Sequence, residues 1–61
     1  MRLIEDMRAE ARRLTDRATG YAMCGERQLA GDMRQAANGL LVAINMLEIA
    51  QAGERQAQEA P

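Results

Sequence analysis

The sequence predicts an all-α fold, an antiparallel hairpin of two helices that dimerises into a four-helix bundle. Apolar residues recur at helical spacing from residue 2 to residue 23. Gly25 follows this segment, as glycine often follows the end of a helix. A second helical segment, from about 26 to 52, carries two apolar stripes. Because a helix with a single neighbour needs only one apolar stripe, the second stripe predicts a second neighbour.

The first predicted helix, from about 2 to 23, has one apolar face. Charged residues lie outside this face, and pairs such as Glu10 and Arg13 stabilise a helix by only about 0.2–0.5 kcal/mol each. The pattern is therefore typical of an amphipathic helix with a solvated outer side. The apolar residues follow alternating steps of three and four, as coiled-coil core positions do: Ile4, Met7, Ala11, Leu14, Ala18 and Tyr21.

The turn is predicted at about residues 24–25. Gly25 suits the left-handed conformation that ends a helix, and Glu26 complements the positive end of the next helix dipole. Two other breaks are open, one at Gly20 and one that starts the second helix at Asp32. We favour a start near Glu26, because a later start would remove Leu29 from the apolar arc of the second helix.

The second predicted helix has an apolar stripe on each of two sides. We name Val42, Met46 and Ile49 the second stripe. Leaving it exposed would forfeit roughly 1.5–3 kcal/mol per side chain, and a two-fold dimer would cover it with a copy of itself. The other stripe is predicted to pack against the first helix: Leu29, Met33, Ala36, Leu40, Ala43 and Leu47.

Two residues beside the second stripe complete the predicted dimer or partner interface, which we call the outer patch. Asn45 either sets the register of an apolar contact or marks its solvated edge. Self-association and binding to a different protein are both open for this surface. The outer patch consists of Leu41, Val42, Asn45, Met46 and Ile49.

Two glycines interrupt or end the second helix. Gly39 is either a tolerated small residue or the site of a close helix crossing, at a cost of about 1 kcal/mol relative to alanine. Gly53 is predicted to end the helix. Residues 54–61 contain no large apolar side chain, so we expect a disordered tail.

The sequence does not indicate catalytic or metal-binding chemistry. It contains no Ser, Lys, His, Phe or Trp, which excludes Ser, Lys and His as nucleophiles or general bases. Cys24 has no second cysteine to pair with and no histidine to activate it. We therefore expect no enzyme activity, no cofactor and no bound metal.

Composition favours a protein-binding function. Nine acidic residues and eight arginines give a net charge of −1, which argues against a strongly basic nucleic-acid module and against attraction to anionic membranes. The single cysteine and the short apolar run, compared with the roughly 20 residues of a membrane span, predict a cytoplasmic protein. Exclusive use of arginine over lysine suggests a high-GC bacterial or phage genome. We expect a non-catalytic adaptor or inhibitor of a larger protein, acting as a homodimer.

The alternative is an RNA- or DNA-binding regulator that uses the arginines of the first helix. Its phosphate-binding face would consist of Arg8, Arg12, Arg13 and Arg17. These residues do not share one face of the helix, acidic residues lie among them, and no exposed aromatic side chain is available to stack on a base. Nucleic acid is therefore a less favoured partner than protein.

Overall fold

In the computed structural model, which describes residues 2–59, the chain forms two α-helices joined by a tight turn. α1 spans Leu3–Met23 and α2 spans Arg27–Glu59. The helices pack against each other along their length in an elongated body of 57 × 16 × 10 Å. The all-α class and the two-helix hairpin of the predicted fold are thereby confirmed.

The turn between the helices is a Schellman motif centred on Gly25. Gly25 has a φ of +81°, a conformation that glycine adopts without strain. Its N–H donates to the carbonyl of Ala22 at 3.1 Å, and the N–H of Glu26 donates to the carbonyl of Tyr21 at 2.8 Å. These bonds satisfy carbonyl groups that the end of α1 would otherwise leave unpaired. The chain thus reverses at the predicted position, and α2 begins one residue after Glu26.

Small residues form the centre of the seam between the two helices. Alanine at a helix contact lets the backbones approach closely, and longer side chains on either side then close over the seam. The buried residues are Ala11 and Ala18 in α1 and Ala30, Ala37 and Ile44 in α2. The half-buried flanking residues are Ile4, Met7, Leu14 and Tyr21 in α1 and Met33, Leu40 and Leu47 in α2.

The face of α2 that packs on α1 is rotated from the predicted face by about 50°, half of the 100° step between successive residues. The predicted residues that remain half-buried in it are Met33, Leu40 and Leu47. Leu29 is 40% exposed and Ala36 is exposed, so the predicted placement of these two residues in the seam was wrong. Ile44 is only 3% exposed, whereas Ala43 is half-buried. The rotation is favourable because burying an isoleucine at the centre removes more apolar area from water than burying an alanine.

α2 continues to Glu59, beyond the predicted end at Ala52, so the described part of the predicted disordered tail is helical. Gly53 lies inside the helix and costs about 1 kcal/mol relative to alanine. The residues that follow it are Glu, Arg, Gln and Ala, which are all good helix formers. One glycine among them does not end the helix. Residues 60–61 of the predicted tail lie outside the described residues.

Candidate interaction surface

The structure brings the five predicted interface residues together on one exposed side of α2. The exposed fractions are 51% for Leu41, 60% for Val42, 65% for Met46 and 64% for Ile49. Asn45 lies among them and is also exposed. The second stripe faces away from α1, since it lies on the opposite side of α2 from the seam. The outer patch is therefore a contiguous apolar surface that no other part of residues 2–59 covers.

The outer patch lies on an uncharged part of the molecule. Glu48 is the single charged residue between Gln35 and Gly53. Its Oε2 accepts a hydrogen bond from Nη2 of Arg8 at 2.6 Å, across one edge of the seam. Both side chains are about half exposed, so the pair contributes about 0–1 kcal/mol. Its structural effect is to direct the Glu48 carboxylate toward α1 and away from the outer patch.

A shallow groove of about 280 Å³ runs along the same edge of the hairpin. Within this groove, the Thr15 hydroxyl donates to the carbonyl of Ala11 at 2.9 Å and is thereby satisfied. Leu41 belongs to both the groove and the outer patch, so the two surfaces are continuous. The groove is lined by Arg8, Ala11, Arg12, Thr15 and Leu41.

Two glycines lie on the same side of α2 as the second stripe. Gly39 and Gly53 are seven residues before and after Met46. Neither has a positive φ, and a Cβ atom built at either position would meet no other atom within 4 Å. Within the described residues, no contact or backbone conformation therefore requires glycine there, although each glycine costs about 1 kcal/mol within a helix.

The arginines of the predicted nucleic-acid face do not converge. Arg8 is paired with Glu48, and Nη1 of Arg13 lies 3.2 Å from Oε2 of Glu10. Arg12 lies at the rim of the groove. Arg17 is nine residues after Arg8 and so projects from the opposite side of α1. This helix presents no continuous strip of unneutralised positive charge.

The described residues contain no cluster suited to metal binding. Cys24 is a free, exposed thiol at the end of α1. Within residues 2–59, no three His, Cys, Asp or Glu side chains come close enough together to hold a metal ion. Over the same residues, neither helix has an apolar stretch of the length that a bilayer span requires.

Two features of the surface were not predicted as site residues. The Arg8–Glu48 pair joins residues 40 positions apart, and helical spacing within one helix does not reveal a pairing between two helices. Gly53 was predicted to end α2, although its heptad spacing from Met46 was visible in the sequence. That spacing is the signal by which it could have been assigned to the outer side of the helix.

Comparison with known proteins found no match to a protein family, to a curated protein or to a solved structure. Function is therefore inferred from the surfaces of the chain itself.

Proposed function

We propose that this chain is a non-catalytic protein-interaction module that acts as a helical homodimer through the outer patch of α2. The observation that carries the proposal is a set of four large apolar side chains, each more than half exposed, on an uncharged helix face. Contiguous exposed apolar surface is typical of binding sites. Recognition by an amphipathic helix uses apolar anchors one turn apart, which is the spacing of the second stripe.

A homodimer explains why so much apolar area lies outside the seam. Exposing Val42, Met46 and Ile49 forfeits roughly 1.5–3 kcal/mol per side chain, which is an upper estimate. The seam itself is built largely around alanines and buries little area per residue, so a chain of this size gains stability by association. A two-fold dimer of four helices covers the patch on both copies at once.

The proposed biological role is that of an adaptor or inhibitor, which would dock on a larger protein and occupy its binding surface. The groove beside Leu41 supports this role because it extends the apolar surface past the patch. The guanidinium group of Arg12 at its rim would favour a partner that presents acidic side chains next to apolar ones.

The double substitution Met46→Asp with Ile49→Asp tests the proposal. Both side chains are exposed on the far side from α1, so their replacement leaves the seam unchanged. Burying an unpaired carboxylate costs several kcal/mol, and the two-fold axis doubles the number of buried charges. We expect the dimer to dissociate to the 6.7 kDa monomer and to lose most of its helix. Light scattering measures the mass, and circular dichroism measures the helicity.

The matched control is Ala9→Asp with Thr19→Asp, which adds the same charge at exposed positions of α1. We expect this control to keep the dimer mass. If the patch binds a different protein instead, the Met46 and Ile49 variant stays folded at an unchanged mass and loses that partner. A wild-type thermal midpoint that is independent of protein concentration, with a monomer mass, contradicts the homodimer.

The alternative function, binding of RNA or DNA by α1, has less support. Ion pairs to Glu48 and Glu10 already engage Arg8 and Arg13, and counterion release requires arginines that are available to phosphates. An electrophoretic mobility shift assay across a salt series tests this alternative directly. A shift that weakens steeply with salt would support it.

A further inference from the structure

The broad faces of the hairpin are charged, whereas its edge along α2 is not. A closed four-helix bundle would bury a broad face to which both helices contribute. On α1, one broad face carries Arg8 and Arg12, and the other carries Asp6, Arg13 and Arg17. These side chains are exposed, and burying charges without new partners is strongly unfavourable. A second copy therefore reaches the second stripe along the free edge of α2.

The second stripe belongs to a longer line of exposed residues, which we call the symmetric row. On both sides of Met46 the row contains a β-branched residue, then a glycine, then a glutamine. The distances from Met46 along the sequence are nearly equal on the two sides. Two copies laid antiparallel would place each residue opposite one of its own class. Continued at heptad spacing, the row consists of Gln35, Gly39, Val42, Met46, Ile49, Gly53 and Gln56.

We propose that a second copy of this chain binds along the symmetric row, α2 against α2 in antiparallel direction, with the two-fold axis near Met46. This inference rests on the proposed homodimer and specifies its geometry. The four helices then lie in a flat row in the order α1, α2, α2, α1, in place of a closed bundle. Gly39 faces Gly53 of the partner subunit, and Val42 faces Ile49 of the partner subunit.

The glycines support a second copy as the occupant of this surface. A Cβ atom at Gly39 or Gly53 would meet nothing within the chain, so glycine weakens α2 there without an internal benefit. Where two helices meet at glycine, their backbones can approach closely. In a two-fold contact with a second copy, each residue meets the position related to it by the axis, so a row that is symmetric about Met46 places glycine against glycine and a β-branched residue against a β-branched residue.

Asn45 favours the antiparallel direction over the parallel one. In a parallel dimer the two-fold axis runs along the helices, so the two copies of this side chain project to opposite sides of the contact. In the antiparallel dimer the two-fold axis is perpendicular to the helices and places both copies on the same side. Asn45, beside the row and near the axis, approaches the partner subunit's Asn45, and two amides can each donate and accept a hydrogen bond.

Distances between spin labels test this geometry. In a Cys24→Ala background, one variant carries a single label at Gln35→Cys and another carries it at Asp16→Cys. A rise of 1.5 Å per residue predicts a Gln35 separation of about 30–35 Å in the antiparallel dimer and under about 20 Å in a parallel one. Arg8 is level with Glu48, so Asp16 lies roughly seven residues along the axis from the level of Met46, and in any antiparallel dimer this offset separates the two labels by about 20–25 Å. Spacings of 8–10 Å between helix axes then predict about 30–40 Å at Asp16 for the flat row and about 20–30 Å for a closed bundle.

The outcomes separate the geometry from the homodimer itself. A dimer mass with a short Gln35 distance overturns the antiparallel direction, and a dimer mass with a short Asp16 distance overturns the flat row. A monomer mass for the unlabelled wild-type chain overturns the homodimer and this inference with it. If the label at Gln35 disturbs association, a label at Gln28→Cys replaces it. The expected separation there is about 50–55 Å for the antiparallel dimer and under about 20 Å for the parallel one.

Discussion

Both helices place buried alanines and half-buried apolar residues in the seam, but their outer sides differ. α1 carries eight charged residues within Leu3–Met23. α2 carries one between Gln35 and Gly53, and that residue, Glu48, is paired back to α1. Water solvates the charged side chains of α1, and the exposed large apolar residues of α1, Leu3 and Met23, lie at its two ends. The outer side of α2 has four exposed large apolar side chains, which water does not favour.

In the proposed homodimer, this difference distinguishes a helix with one neighbour from a helix with two. The apolar residues of α1 form one stripe that packs against α2, apart from Leu3 and Met23, which are exposed at its two ends. The apolar residues of α2 form two stripes, of which α1 covers one. The other stripe of α2 is the one that a second copy would cover in the proposed homodimer.

The largest expected effect comes from truncating one isoleucine on each side of α2. Ile44→Ala removes a side chain that is 3% exposed and should cost about 2–5 kcal/mol from lost transfer energy and a cavity. Ile49→Ala removes one that is 64% exposed in the single chain. We expect this second variant to cost about 1–3 kcal/mol at concentrations that favour the dimer. Denaturant unfolding at high and low protein concentration measures both values.

The dependence of these two costs on protein concentration distinguishes the seam from the second stripe. The cost of Ile44→Ala should persist on dilution, whereas the cost of Ile49→Ala should shrink as the wild-type dimer dissociates. A cost for Ile49→Ala that stays within about 0.5 kcal/mol at every concentration would show that the second stripe is merely solvated.

A smaller effect is expected from replacing two pairs of glycines by alanine. The change should be favourable at one pair and unfavourable at the other. Gly20 and Gly31 lie in helices with open space around a built Cβ, as Gly39 and Gly53 do. Replacing Gly20 and Gly31 by alanine should stabilise the chain by about 1 kcal/mol per site. Replacing Gly39 and Gly53 should weaken dimerisation about tenfold, or about 1.4 kcal/mol, because added Cβ atoms separate the helices. Sedimentation equilibrium measures the dimer Kd of each variant. If the Gly39 and Gly53 variant associates more tightly than the wild-type chain, as the Gly20 and Gly31 variant can through its more stable helices, a close approach of helices at Gly39 and Gly53 is excluded.

The smallest effect is expected on the outer side of α1. Arg12→Glu with Arg13→Glu should change the free energy of unfolding by a few tenths of a kcal/mol and leave the dimer intact. Arg27→Glu with Arg34→Glu makes the same charge change on α2 and serves as the control. A mobility shift of nucleic acid by the wild-type chain that only the Arg12 and Arg13 variant abolishes would contradict a solely protein-binding role.

The local features of this protein were set by short stretches of sequence. The alternating steps of three and four residues predicted α1 at about 2–23, and the structure has Leu3–Met23. Gly25 adopts the positive φ expected of a helix-ending glycine. The exposure of Val42, Met46 and Ile49 also followed from spacing, because residues on opposite sides of one helix cannot both face one neighbour. Helical periodicity and glycine conformation are properties of neighbouring residues, so the sequence alone reveals them.

Only the tertiary structure decided how the two helices meet. The small rotation that puts Ile44 at the centre of the seam and leaves Leu29 exposed depends on which side chains of α1 lie opposite. The pairing of Arg8 with Glu48 depends on the same register between helices. The continuation of α2 through Gly53 to Glu59 differs from the predicted disordered tail, because residues with high helix propensity extend the helix even without large apolar side chains. Periodicity defines a broad apolar arc on each helix, whereas the contact between two arcs selects the rotation and register that bury the most apolar area.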